Sequence, residues 1–188
     1  FPYTTLFRSP PDYTVVDEEE LTRDIIRFLR QSTFGPTPEL VADLEARVAA
    51  ADGDRIAAYS EWIDEQLLMQ SPSQHEYYKA ARYQYLSTVA SDDISNVLSK
   101  SKTGNIPFYG GWFTSSVHSK AQLRDRVGFA LSEIFVVSAK HNAIRQRMEG
   151  LASYNDMLKQ NAFGDYETLL ADVAKHPVMG IYLSQIGR

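Results

Sequence analysis

The sequence contains no cysteine. That excludes disulfide scaffolds, thiolate metal sites and cysteine nucleophiles, and it leaves the redox compartment open. No stretch approaches the roughly 18 consecutive apolar residues that a membrane-spanning helix needs. Positive charge is short as well: 19 Lys and Arg stand against 24 Asp and Glu, for a net charge of −5. Nucleic acid is therefore not expected as a partner, because phosphate binding wants a basic face. There is no glycine-rich phosphate loop, no dinucleotide fingerprint and no GxSxG elbow, so no cofactor is expected. No Asn-x-Ser/Thr acceptor occurs either.

What remains is apolar, aromatic and helical in pattern. The 188 residues are 44% hydrophobic, enough for one domain with a sizeable core. Eleven Tyr, nine Phe and two Trp supply much of that material. The first nine residues, FPYTTLFRS, have no basic start, apolar centre or small-residue cleavage site, so they fail as a secretory signal. Codon by codon they back-translate to the end of a common sequencing-library adapter. Residues 1–17 are accordingly expected to be an artefactual or disordered start, with a single helical domain over 18–188.

Apolar spacings of three and four predict helices along most of the chain. Leu21, Ile25, Phe28 and Leu29 share one face of a helix over 18–34, led by the acidic run Asp17 to Glu20 and stopped by Gly35. Thr37 and Pro38 start the next, which Asp52-Gly53-Asp54 breaks. A third runs from Arg55 to Met69, with Ile56, Tyr59, Ile63 and Leu67 on its inner side. Ser73 and Glu76 form a capping box for a tyrosine-rich fourth. From 92 to 118 periodicity fades among Gly104, Pro107 and Gly110-Gly111, which predicts a long loop, with a short helix near Ile94 to Lys100.

Ser119 and Gln122 suggest a second capping box, and the helix after it is apolar nearly all round. That pattern predicts a central buried helix over about 119–140, wrapped by the others. Helices over 151–162, after Asp165, and around Val178 to Ile186 complete an all-α, irregular multi-helix bundle. Pro177 can close the penultimate helix or open the last.

Few residues invite a chemical reading. HEYYK at His75 to Lys79 lacks the second imidazole of a zinc helix, and Lys79 would repel a cation, so no metal site is expected. Arg126 and Glu133 lie seven residues apart on one stripe of the central helix, about 10 Å along its axis. If buried, each needs a partner from another element, either in a polar site or in a structural ion-pair network. Arg126, Glu133 and His176 are the catalytic candidates. IPFYGGWF, Ile106 to Phe113, concentrates aromatic rings; Tyr109 and Trp112 are binding candidates, because such rings can stack on sugars or tuck into a core.

Four stretches together resemble the bacterial domain of unknown function 1800 family. They are RFLRQSTFGPT (Arg27 to Thr37), WIDEQ (Trp62 to Gln66), LRDRVGFALSEIFVVS (Leu123 to Ser138) and the segment from Leu151 to Ser184. The resemblance implies a large, mainly helical bacterial protein, often exported, with no established activity. Relatives carry a Trp-His-Asn-His-Phe run where this chain has Leu131-Ser132-Glu133-Ile134-Phe135, so a metal or acid/base role of those histidines is absent here. The family also continues past the position of Arg188, which implies a truncated chain, an exposed apolar patch and packing by the remainder of the protein. Two functions follow as expectations. One is a non-catalytic binding or assembly module of an envelope or secreted protein. The other is a hydrolase on polymeric substrate, completed by the missing part.

Overall fold

The computed structural model describes residues 17–87 and 102–184. Among these residues ten helices form and no strand, so the fold is all-α. The adapter-like start and the short helix expected near Ile94 to Lys100 lie outside the described residues. The chain gathers into two compact units that divide after Glu65.

The first unit holds α1 (Glu18–Ser32), α2 (Pro38–Ala50) and most of α3 (Arg55–Leu68). Its helix ends follow local chemistry. Asp17 caps α1 by accepting from the Glu20 N–H at 2.9 Å, and Thr37 caps α2 ahead of Pro38. Asp52 and Gly53, both at positive φ, stop α2. The buried face comprises Ile25 and Leu29, Leu44 and Val48, and Ala58 and Trp62. Each large aliphatic side chain removed from water contributes roughly 1.5–3 kcal/mol. The expected inner stripe of α3 is corrected by rotation: Ile56 is exposed, while Ala58 and Trp62 turn inward. Trp62 offers the larger apolar area, and Phe28 meets it edge-on at 5.3 Å.

The second unit holds α4 (Gln74–Ser87), α5 (Lys102–His118), α6 (Gln122–Ile134), α7 (Asn142–Arg145), α8 (Met148–Gln160), α9 (Tyr166–Lys175) and α10 (Pro177–Tyr182). Its centre is α8, which packs against α4, α5, α6, α7, α9 and α10. Leu151, Ala152, Tyr154 and Leu158 of α8 are buried with Tyr78, Phe108, Leu169 and Val178 around them.

The central rod expected over 119–140 is thus corrected. The helix there spans only Gln122–Ile134, and Ile134 is 70% exposed. Val127 and Phe129 are only partly covered. Its buried residues are Gln122, Arg124, Asp125 and Gly128, so α6 turns a polar side inward. The physical reason is the neighbour: Lys159 of α8 supplies a buried cation, and helix ends supply bare carbonyls. The second capping box does not form. Ala121 occupies the cap position without a side-chain bond, and Gln122 Nε2 donates to the carbonyls of Ser116 and Ser119 at the end of α5.

The long loop near 92–118 is corrected in its second half, which is helix α5 with Pro107 inside it. Its glycines serve close packing. A Cβ on Gly111 would lie 3.0 Å from Tyr77 Cδ1 and 3.1 Å from Gln74 Cγ, so α4 and α5 approach closely only because none is there. At the start of α4, Ser73 accepts from the Glu76 N–H, but the Glu76 carboxylate pairs with Lys79 at 2.6 Å. Asp156 of α8 completes that cap by accepting from the Gln74 and His75 N–H groups. Pro177 opens the last helix, with His176 as its cap.

Candidate functional site

In the second unit a groove of about 420 Å³ opens between α5, α6 and α8. Tyr109, Trp112 and Phe113 of α5 and Phe129 of α6 form its aromatic wall. Trp112 meets Phe113 edge-on at 4.9 Å and Phe129 at 5.7 Å, a geometry that fixes the rings against one another. Tyr109 and Phe113 remain 46% and 60% exposed, so their faces stay available to a ligand. The polar lining is sparse: the Ser132 hydroxyl, the Glu133 carboxylate and the Asn155 amide. Ser132 donates to the Phe129 carbonyl, and Asn155 donates to Gln74 Oε1. Both are thereby held in place. A groove of this volume, mostly apolar with a few convergent polar groups, has the usual makeup of a small-ligand site.

The structure therefore brings three candidate residues, Tyr109, Trp112 and Glu133, to one groove. Arg126 lies on the same helix, partly covered, outside the groove lining. His176 is also outside the lining. Its Nδ1 accepts from the Val178 N–H, and its ring stands edge-on to Tyr154 at 5.1 Å. Burial pushes its pKa below the ordinary histidine value. Tyr154, which does line the groove, donates its hydroxyl to the Phe135 carbonyl, and burial pushes it up to about 12. Arg126, Glu133 and His176 do not meet in this groove. Ile106, Tyr109, Phe113 and Val117 lie within one arc of α5 and form an exposed apolar stripe beside the groove.

Over residues 27–187 the sequence matches the family described as a protein of unknown function, DUF1800. The chain belongs to that family. No curated protein and no solved structure matches it. Among the described residues of this DUF1800 chain, no three His, Asp or Glu side chains gather as a metal site requires, and no helix is long and apolar enough to cross a membrane.

A second polar cluster in the DUF1800 chain has no counterpart among the sequence candidates. Lys159 Nζ lies 2.8 Å from Asp125 Oδ1 and 3.0 Å from Ser115 Oγ, and all three side chains are buried. Ser115 and Ser71 both donate to the same Asp125 oxygen. A serine beside a lysine can be a nucleophile and its base, provided the amine is neutral and substrate can reach it. Here the amine is paired with the Asp125 carboxylate, the Ser115 hydroxyl is committed to Asp125, and none of the cluster lines the groove. The arrangement is a structural pin. Arg124 beside it is another: it donates to the carbonyls of Leu67, Met69 and Lys159, which end α3 and α8, and its guanidinium lies 4.6 Å from the Phe163 ring centre. Arg124 and Asp125 are visible in sequence only as polar interruptions of an apolar helix. Lys159, Phe129 and Asn155 carry no local signal at all.

Proposed function

We propose that this chain is a non-catalytic helical module of a bacterial envelope or exported protein, and that its aromatic groove binds the apolar face of a sugar ring. The carrying observation is the lining: six aromatic side chains, with Tyr109 and Phe113 well exposed, around a single carboxylate. Pyranose rings present C–H faces that pack on aromatic rings, and their hydroxyls seek an acceptor such as Glu133. The exported setting is carried over from the family resemblance and is checked by fractionating cells that express the natural protein.

Tryptophan fluorescence tests the binding reading cleanly. Of the two tryptophans, Trp62 is 2% exposed in the first unit, whereas Trp112 lines the groove. Titration with soluble oligosaccharides from envelope polymers should shift the Trp112 emission and saturate. A Trp112→Ala variant should lose the binding while keeping its helical circular dichroism. Failure of every oligosaccharide to shift the emission would remove the sugar reading.

One observation favours the alternative, a hydrolase on polymeric substrate completed by further chain: Glu133 stands in the groove wall. Glycoside hydrolysis by acid/base chemistry needs a second carboxyl group roughly 5–10 Å from the first. Among the described residues lining this groove Glu133 is the one carboxylate. Hydrolysis lost in Glu133→Gln with unchanged sugar binding would establish the enzyme reading in place of the module.

A further inference from the structure

The first unit is strongly acidic, with thirteen carboxylates and five arginines between residues 17 and 65. Three of those arginines, Arg23, Arg27 and Arg55, nevertheless line a single cavity of about 630 Å³ between α1 and α3. Arg23 and Arg27 are one turn apart on α1, and Arg55 opens α3. Asp24 holds the arrangement. Its Oδ1 takes Arg27 Nη2 at 2.5 Å. Its Oδ2 takes Arg55 Nη1 at 3.2 Å and the Tyr59 hydroxyl at 3.0 Å. One carboxylate thus orients two guanidiniums and offsets only one of their charges. Tyr59 is fixed in turn by stacking on Phe28, with ring centres 4.4 Å apart and planes 6° from parallel.

A guanidinium carries five N–H donors in a planar fork. Arg27 turns one nitrogen to Asp24, and Arg23 turns its Nε to the Glu19 carbonyl. Both side chains are solvent-exposed, Arg27 at 75%, and keep further N–H groups for a ligand. Counting Glu20 and Asp24, the lining carries three positive and two negative charges within an otherwise acidic unit. We infer that this cavity binds a tetrahedral oxyanion, the phosphate or sulfate group of an ester ligand, held by the forks of Arg23 and Arg27. Such charge-assisted, bidentate bonds suit an oxyanion with three or four oxygens, which can engage two forks at once. A carboxylate, with two oxygens, can meet only one fork bidentately, and binds two only through single bonds, as Asp24 does here.

The test uses the full chain, titrated calorimetrically at low salt with inorganic phosphate, inorganic sulfate and acetate. The expected result is saturable one-to-one binding of phosphate or sulfate, about tenfold or more tighter than acetate. Stronger binding of phosphate assigns a phosphate ester as the source, and stronger binding of sulfate a sulfate ester; either supports the site. Arg23→Gln/Arg27→Gln should weaken binding about tenfold or more, while Trp112→Ala in the other unit leaves it unchanged. Circular dichroism checks that the double variant stays folded. Arg27→Lys, which keeps the charge and loses the fork, should still weaken binding several-fold, and it carries the test if the double variant unfolds. Absence of saturable binding, equal affinity for acetate, or full affinity in the variants overturns the inference.

Discussion

A carbon added at position 128 would meet Lys159 twice. The Cβ would sit 2.7 Å from Lys159 Cγ and 3.2 Å from its Cα, and the backbone of α8 cannot swing away as a side-chain tip can. Overpacking of this kind costs about 1–3 kcal/mol, set against roughly 1 kcal/mol gained from alanine's better helix propensity. Gly128→Ala should therefore lower stability by about 1–2 kcal/mol, read as a lower urea midpoint. Gly164→Ala is the control, because its nearest neighbour lies at 3.6 Å and ordinary contact results. Lys159 itself holds a heavier stake. Lys159→Met leaves the Asp125 charge buried with only hydroxyl partners, which costs about 3–5 kcal/mol. Asp125→Leu combined with Lys159→Met removes both charges, and the pair should cost about 1–3 kcal/mol less than the two single changes added together. Strict additivity in that double-mutant cycle would show that the 2.8 Å contact carries no coupling.

At the scale of elements, α4 depends on a residue far away in sequence. Asp156 accepts from the Gln74 N–H at 2.8 Å, the His75 N–H at 3.0 Å and the Ser73 hydroxyl at 2.6 Å. Asp156→Ala should cost about 1–2 kcal/mol and speed amide exchange at Gln74 and His75. The cap of α9, made by Asp165 accepting from the Thr168 N–H, should exchange as before. The same contrast explains what the sequence makes legible. Asp17, Thr37, Asp165 and Pro177 act within about three residues of themselves, so the ends they set are readable in order along the chain. Gly110-Gly111 resembles a turn until Tyr77 is placed against it. Periodicity misjudges α6 because it counts apolar residues as inward, whereas this helix buries Arg124 against the Leu67 and Met69 carbonyls and Asp125 against Lys159 of α8. The groove is half legible for the same reason. Aromatic density marks Tyr109 and Trp112 and the helix stripe marks Glu133, but the opposing wall comes from α8, 20 to 50 residues on.

At the scale of the molecule, the response to pH follows from groups whose folded and unfolded proton affinities differ. Burial lowers the pKa of His176 below 6.5. Its contribution is then fully present above the unfolded value and is lost as pH falls through the lower folded value. Asp165 is held below 3.8 by the Thr168 N–H, and Glu65 below 4.5 by Arg47, so both add losses of the same sign in more acidic solution. Tyr154, pushed up to about 12, behaves oppositely: its contribution is complete below pH 10 and fades as pH rises toward 12. Urea midpoints should therefore fall in two stages on acidification, the first beginning near pH 6.5 and the second below 4.5. His176→Asn isolates the first stage, because the amide oxygen can still accept from the Val178 N–H and cap α10 but does not titrate. The variant should hold its midpoint flat from pH 7 to 5 and then join the wild type in the second fall. A wild-type midpoint already flat across that upper window would show that protonating His176 costs the folded chain nothing, and that its ring is open to water at the end of α9.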